Sequence, residues 1–168
     1  MSLSPRWLLV GVLLFGTASK YDRLEPQEKI HFDALRVWMS DKDEKDFFKQ
    51  KTPEAREQWL KDHRLWDRFY HYNKEMQDAI VQRAVARGWP IDAVYMAWGK
   101  PHETQRLFRD GAERSEKLMY FLEVTEDGHV LVWKPGSSET HNAVDRYRYE
   151  LIIDDGIVAV MTKRSGWE

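Results

Sequence analysis

The apolar period of this chain changes once, near Ser115, and that change constrains its fold more than any other feature. Leu118 to Val124 is strand-like, with Tyr120, Leu122 and Val124 on one face. Asp127-Gly128 suits a tight hairpin, and Val130 to Trp133 reads as the strand after it. Pro135-Gly136-Ser137-Ser138 opens a polar loop. Tyr147 to Ile153 reads as a third strand, Asp155-Gly156 as another tight turn, and Ile157 to Met161 as a fourth strand. Ser165 to Glu168 reads as a frayed tail. Before Ser115 the apolar spacing is helical. Helices first and hairpin-linked strands afterwards predict an α+β fold, a three- to four-stranded antiparallel sheet built from hairpins with the helices packed on one face.

The helical half carries its own punctuation. A helix is expected from Pro26 to about Met39, with Phe32, Leu35 and Met39 spaced for one face. Ser40 reads as an N-cap ahead of Asp41, Asp43 and Glu44, and Phe47 and Phe48 anchor that second helix. Thr52-Pro53-Glu54 starts a third, expected to run to about Tyr70 with Trp59, Trp66 and Tyr70 recurring along it. Asn73 caps a fourth, with Met76, Ile80 and Ala84 on one face and Gly88 as its end. The stretch Gly88 to Pro101 then organises the chain. Pro90 suits a first helical position and Asp92 the first turn. Ile91, Val94, Tyr95 and Trp98 form an apolar stripe, Gly99 stops the helix and Pro101 prevents its resumption. A helix this short depends on packing.

The 168 residues suit one domain with appendages, and the formal charge of −2 lacks the basic excess of a nucleic-acid binder. The chain has no Cys, which excludes disulfides and thiolate metal sites. Its N-terminus has the layout of a secretory signal: one positive charge at Arg6, an apolar run from Trp7 to Phe15, then small residues Gly16 to Ser19. Cleavage after Ala18 leaves a chain beginning at Ser19. An uncleaved anchor is the alternative, although the run is short for a bilayer. Residues 1–18 thus read as a signal-like segment, 19–27 as a tether, and 28–168 as one domain, helical over 28–98 and sheet over 115–163.

Three resemblances follow. Leu14 to Ser19 resembles a bacterial lipoprotein signal, with Thr17 standing where that family carries its lipid-bearing Cys, so no lipid attaches there as written. The stretch Gly88-Trp89-Pro90-Ile91-Asp92 resembles the motif of GWxTD bacterial proteins, with Ile91 in place of Thr. Val94-Tyr95, Gly99-Lys100-Pro101, the acidic helix from Asp41 to Phe48 and Thr52 to Arg56 extend that likeness over about residues 36 to 101. It brings no catalytic residues with it. Residues 77 to 163, a short helix ending in Gly-x-Pro followed by antiparallel strands, are similar in order to small outer-membrane lipoproteins of the SmpA/OmlA (BamE-like) type. That likeness implies a role in envelope assembly through protein contacts.

Candidate chemistry is sparse. His63, Asp67 and His71 fall at helical spacing on the expected third helix, where two such residues can bind zinc. A polar face opposite Trp59 and Trp66 explains them better. His102-Glu103 is an acid/base pair in sequence without a nucleophile beside it. Asp154-Asp155-Gly156 lacks the further oxygens of a calcium loop and reads as a hairpin. Glu25, Glu28, Asp33, Asp41, Asp43, Glu44 and Asp46 alternate with lysines and read as a solvated helical face. No catalytic residue, metal ligand or cofactor is assigned. The structural motif is Gly88, Trp89, Asp92, Tyr95, Trp98, Gly99 and Pro101, with Trp89 and Trp98 in the core between helix and sheet. Trp59, Trp66 and Tyr70 are either core or a partner-facing stripe.

These features predict an exported, non-enzymatic envelope protein, periplasmic or associated with the outer membrane. It would act on protein partners, without nucleic acid, and touch the membrane at most through its N-terminus. The alternatives are a periplasmic enzyme or small-ligand binder with a pocket between sheet and helices, and a cytosolic structural domain with an uncleaved anchor. A concave pocket with convergent polar groups favours the binder, and a flat aromatic patch the protein-contact reading.

Overall fold

The structure, a computed structural model, describes residues 19–128, 130–133 and 143–166. The signal-like segment, the polar loop at Pro135 to Ser138, and Trp167 and Glu168 of the tail lie outside the described residues. The fold is α+β. Among the described residues six α-helices come first: α1 (Pro26–Leu35), α2 (Asp41–Phe47), α3 (Pro53–Asp62), α4 (Trp66–Tyr70), α5 (Lys74–Val81) and α6 (Ile91–Trp98). A 3-10 turn, Arg36–Trp38, extends α1. Five strands follow: β1 (Glu103–Leu107), β2 (Ser115–Thr125), β3 (Val130–Val132), β4 (Ala143–Asp154) and β5 (Ile157–Ser165).

Helix starts follow local side-chain chemistry. The Ser40 hydroxyl accepts the Asp43 N–H, while Asp43 accepts the Ser40 N–H at 3.0 Å. Thr52 and Asn73 accept the Ala55 and Met76 N–H groups in the same way. Helix ends depart from the sequence expectation. The third helix does not reach Tyr70. It stops at Asp62, Arg64 turns to a φ of 56°, and the Leu65 N–H reaches back to the Leu60 carbonyl. The fourth stops at Val81, well short of Gly88, by the same device: Arg83 has a φ of 58° and the Ala84 N–H bonds the Ala79 carbonyl. Neither end uses glycine, so composition did not mark it.

Gly88 therefore ends no helix. It begins a short backbone ladder against β5. Its N–H donates to the Val158 carbonyl, Val158 N–H donates to the Trp89 carbonyl, and Ile91 N–H donates to the Gly156 carbonyl, each at 2.8 Å. Pro90 bridges Ile157 and sits at the N-cap of α6, one residue before the expected first helical position. It can do so because a proline there owes no N–H to the ladder.

The sheet is antiparallel, in the order β1-β2-β4-β5, and β3 also pairs with β2. Two strands share one edge of β2. β1 lies opposite Ser115 to Met119, and β3 opposite Leu122 to Val124. β1 was not expected. Its five residues are mostly exposed and show no apolar alternation, so Glu103 opens an edge strand and is not a loop residue. On the helix-facing side Leu118, Tyr120 and Leu122 of β2 join Leu151 and Ile153 of β4 in the core, all at most 1% exposed. The opposite face carries Glu123, fully buried, 3.3 Å from Arg146, and Glu150 between Arg148 and Arg164.

Helix α6 joins the halves. Ala93, Val94, Met96, Ala97 and Trp98 are all buried, so it sinks more of its circumference than the single expected stripe. The Trp98 ring meets Tyr120 and Tyr149, each at 5.1 Å between centroids, and its Nε1–H donates to the Arg83 carbonyl at 3.0 Å. Gly99 then adopts φ 77°, ψ −159°, a region essentially reserved for glycine. Its carbonyl accepts the Tyr120 hydroxyl at 3.0 Å.

Candidate functional site

The concavity with the most convergent chemistry is a cleft of about 320 Å³ where the C-terminal end of α6 meets the 3-10 turn and β3. Met96, Ala97, Trp98 and Gly99 form one side. Val37 and Met39 face them from the end of α1, and Val132 and Trp133 close the sheet end. Tertiary packing makes this space. Gly99 turns the chain out of α6, and the Trp133 N–H bonds the Phe121 carbonyl at 2.8 Å, which holds the end of β3 against β2.

Five charged residues border the cleft: Asp33 and Arg36 at the end of α1, Glu44 on α2, Arg83 after α5 and Lys100 after α6. Both carboxylates already have partners. Asp33 accepts the Tyr21 hydroxyl at 2.6 Å, and Glu44 lies 3.3 Å from the Arg36 guanidinium. Burial, followed by the Asp33 carboxylate, pushes the Tyr21 hydroxyl up to about 12. Arg83 donates to the Val130 carbonyl at 3.1 Å while its own carbonyl receives Trp98, so it ties α5, α6 and β3 together. Lys100 forms no ion pair among the described residues. None of the lining residues is Ser, Thr, Cys or His. The arrangement can hold a ligand by charge and apolar contact; among the described residues its lining offers amines and carboxylates but no hydroxyl, thiol or imidazole.

The sequence-derived candidates fall partly here. Trp98 and Gly99 line the cleft, and Pro101 follows it into β1. Trp89 is buried beside the β5 ladder. Asp92 accepts the Tyr72 hydroxyl at 2.7 Å; burial and then Asp92 raise that hydroxyl's pKa. Tyr95 is half-buried, its hydroxyl also raised, first by burial and then by Glu116. Trp59 is buried between Phe47 and a stacked His63. Trp66 is half-buried and stacked on Tyr70 at 4.4 Å, and the Tyr70 hydroxyl pairs with His31 Nε2 at 2.5 Å. With α3 and α4 separated, these three rings form no single stripe.

The zinc arrangement dissolves for the same reason. His63 Nδ1–H donates to the Trp59 carbonyl at 2.7 Å and His71 Nδ1–H to the Asp67 carbonyl at 2.9 Å, so each closes the end of its own helix. No group of three metal-ligating side chains occurs among the described residues. Asp154 accepts Ser115 and Arg109, and Asp155 accepts the Arg114 N–H, which makes this segment a fastened hairpin turn. His102 packs edge-on to Phe121 at 4.7 Å. The acidic stretch is not uniformly solvated: Glu28 is buried, and Arg56 reaches both its oxygens, at 2.5 and 3.1 Å.

Arg36, Arg83 and Lys100 escaped sequence reasoning. They lie on three segments, and each follows or ends a helix where a basic residue is ordinary. Compared with known protein families, with curated proteins and with solved structures, the chain finds no match. The likenesses to GWxTD and BamE-like proteins rest on the residues quoted for them.

Proposed function

We propose that this chain is an exported, non-enzymatic protein of the bacterial envelope that works by binding, and that the cleft beside α6 is its binding site. The supporting observation is the convergence of Asp33, Arg36, Glu44, Arg83 and Lys100 on one apolar-walled concavity. The reading keeps the envelope address derived from residues 1–18 and takes the binder alternative for the site. Val37→Trp, which fills the cleft from its half-buried α1 side, is the discriminating variant. Small molecules extracted from the envelope should raise the melting temperature of the parent and not of Val37→Trp, because a ligand stabilises only the form that binds it. Equal stabilisation of both proteins, or of neither, sinks the assignment. Cell fractionation and the mature N-terminus test the address: a protein starting at Ser19 outside the cytoplasm is expected.

Contact with an envelope protein partner is the second reading, and one observation favours it. Phe108 is 91% exposed at the end of β1, on a loop fastened to the β4–β5 turn by Arg109 and Arg114. Loss of partner capture in Phe108→Ser, with the cleft intact, would make this loop the working surface.

A further inference from the structure

We infer that the cleft selects an organic anion, its acidic group held between Arg83 and Lys100 and its apolar body laid against Met96, Trp98 and Val132. This rests on the cleft being the binding site and adds the chemistry of what it takes.

The charge balance carries the inference. Three cations face two carboxylates: Arg36 and Glu44 pair with each other, which leaves Arg83 and Lys100 against the one Asp33 carboxylate, itself hydrogen-bonded by the Tyr21 hydroxyl. What remains for a ligand is donor capacity. Arg83 spends one N–H on the Val130 carbonyl, which fixes the position of its guanidinium and leaves further donors on the planar fork. Lys100 has three donors and no ion pair among the described residues. The C-terminal end of α6 places partial negative charge in the same corner, and one full cation at Lys100 outweighs it. A cationic ligand would meet Arg83 and Lys100 against the one Asp33 carboxylate, whereas an anion meets that excess of positive charge.

The other half of the cleft sets the body of the ligand. Met39 and Met96 adapt to irregular apolar shapes, and Trp98 and Trp133 offer rigid faces. At about 320 Å³ the space sits at the small end of ligand sites, which suits a medium-chain or single-ring acid.

The test uses the purified chain and three probes: decanoate, decyltrimethylammonium with the same tail and opposite charge, and acetate with the charge and almost no body. Binding is followed by calorimetry and by tryptophan fluorescence. Decanoate should bind saturably, one per chain, and more weakly as salt rises. It should bind at least about tenfold more tightly than either other probe. Lys100→Glu should weaken decanoate by roughly tenfold or more without changing the melting temperature, the expected loss for one charged contact on an exposed side chain. Lys100→Arg should restore it. Preference for decyltrimethylammonium, or indifference to Lys100→Glu, overturns the anion assignment and leaves the cleft as a binding site. If no probe binds, the anion assignment fails, and the Val37→Trp comparison then decides the binding reading separately.

Discussion

Trp98→Ala probes the point where helix, sheet and cleft meet. The ring is 6% exposed, contacts Tyr120 and Tyr149, and gives its only N–H to the Arg83 carbonyl. Emptying such an aromatic site costs about 3–5 kcal/mol. A domain has only about 5–15 kcal/mol in all, so the variant should remain folded but compromised. For a chain of this size about 2–4 °C is lost per kcal/mol, giving a fall of roughly 6–20 °C in melting temperature. Trp98→Phe separates the two contributions. It keeps most of the packing, removes the N–H and leaves the Arg83 carbonyl without its donor, a loss of about 1–3 kcal/mol. Urea unfolding of the three proteins gives the free energies directly, with an unchanged slope showing that compactness is retained. A Trp98→Ala protein as stable as the parent would refute the placement of the core. Equal losses in both variants would show that the hydrogen bond, and not the ring, holds α6.

Further outcomes follow from other sites. Gly99→Ala should cost about 1–3 kcal/mol by thermal or urea unfolding, all of it from the backbone, since no atom lies within 4 Å of the added methyl. Gly99→Asn should bring no relief, because its ψ of −159° is outside the left-handed region asparagine tolerates. His31 is buried among Trp66, Phe69 and Tyr70, and burial lowers its pKa against the pull of Glu57 and Glu28. The unfolded chain therefore binds this proton more readily, and stability should fall as pH drops below about 6.5, levelling below the folded pKa. His31→Phe should flatten that part of a pH–stability curve, and an unchanged curve would refute the assignment. His102→Ala and Glu103→Ala, both at exposed positions, should each change stability by no more than about 0.5 kcal/mol. A folded His102→Ala protein that had lost function would instead promote an enzymatic reading.

What was legible in the sequence was local. Ser40, Thr52 and Asn73 announced helix starts because each cap is a bond between a side chain and an N–H three residues on. The Asp155-Gly156 turn was legible for the same reason: its φ values of 49° and 83° are what that dipeptide supplies. The ends of α3 and α5 were not, because Arg64 and Arg83 take a conformation usually marked by glycine while the apolar spacing runs on past them. β1 was hidden because an exposed edge strand has no buried face to impose a period of two. The cleft was the least legible feature. Its walls come from residues 33 to 44, 83, 96 to 100, and 132 to 133, and only tertiary packing brings them together. Trp98 was singled out for its place on an apolar stripe and Gly99 for ending a helix; that they also border a cleft is no property of their neighbours in sequence.

The ladder between Gly88 to Ile91 and β5 has a consequence in time. Its partners are far apart along the chain: the accompanying Arg87 to Ala159 bond spans 72 residues. Synthesis at about 5–20 residues per second places β5 roughly 4–14 seconds behind the segment it must latch. During that interval α6, eight residues long, has neither the ladder nor the sheet to hold it. Until the last described strand arrives, α6 is held only by its contacts with α1 and α5 and by the Tyr72–Asp92 and Trp98–Arg83 bonds.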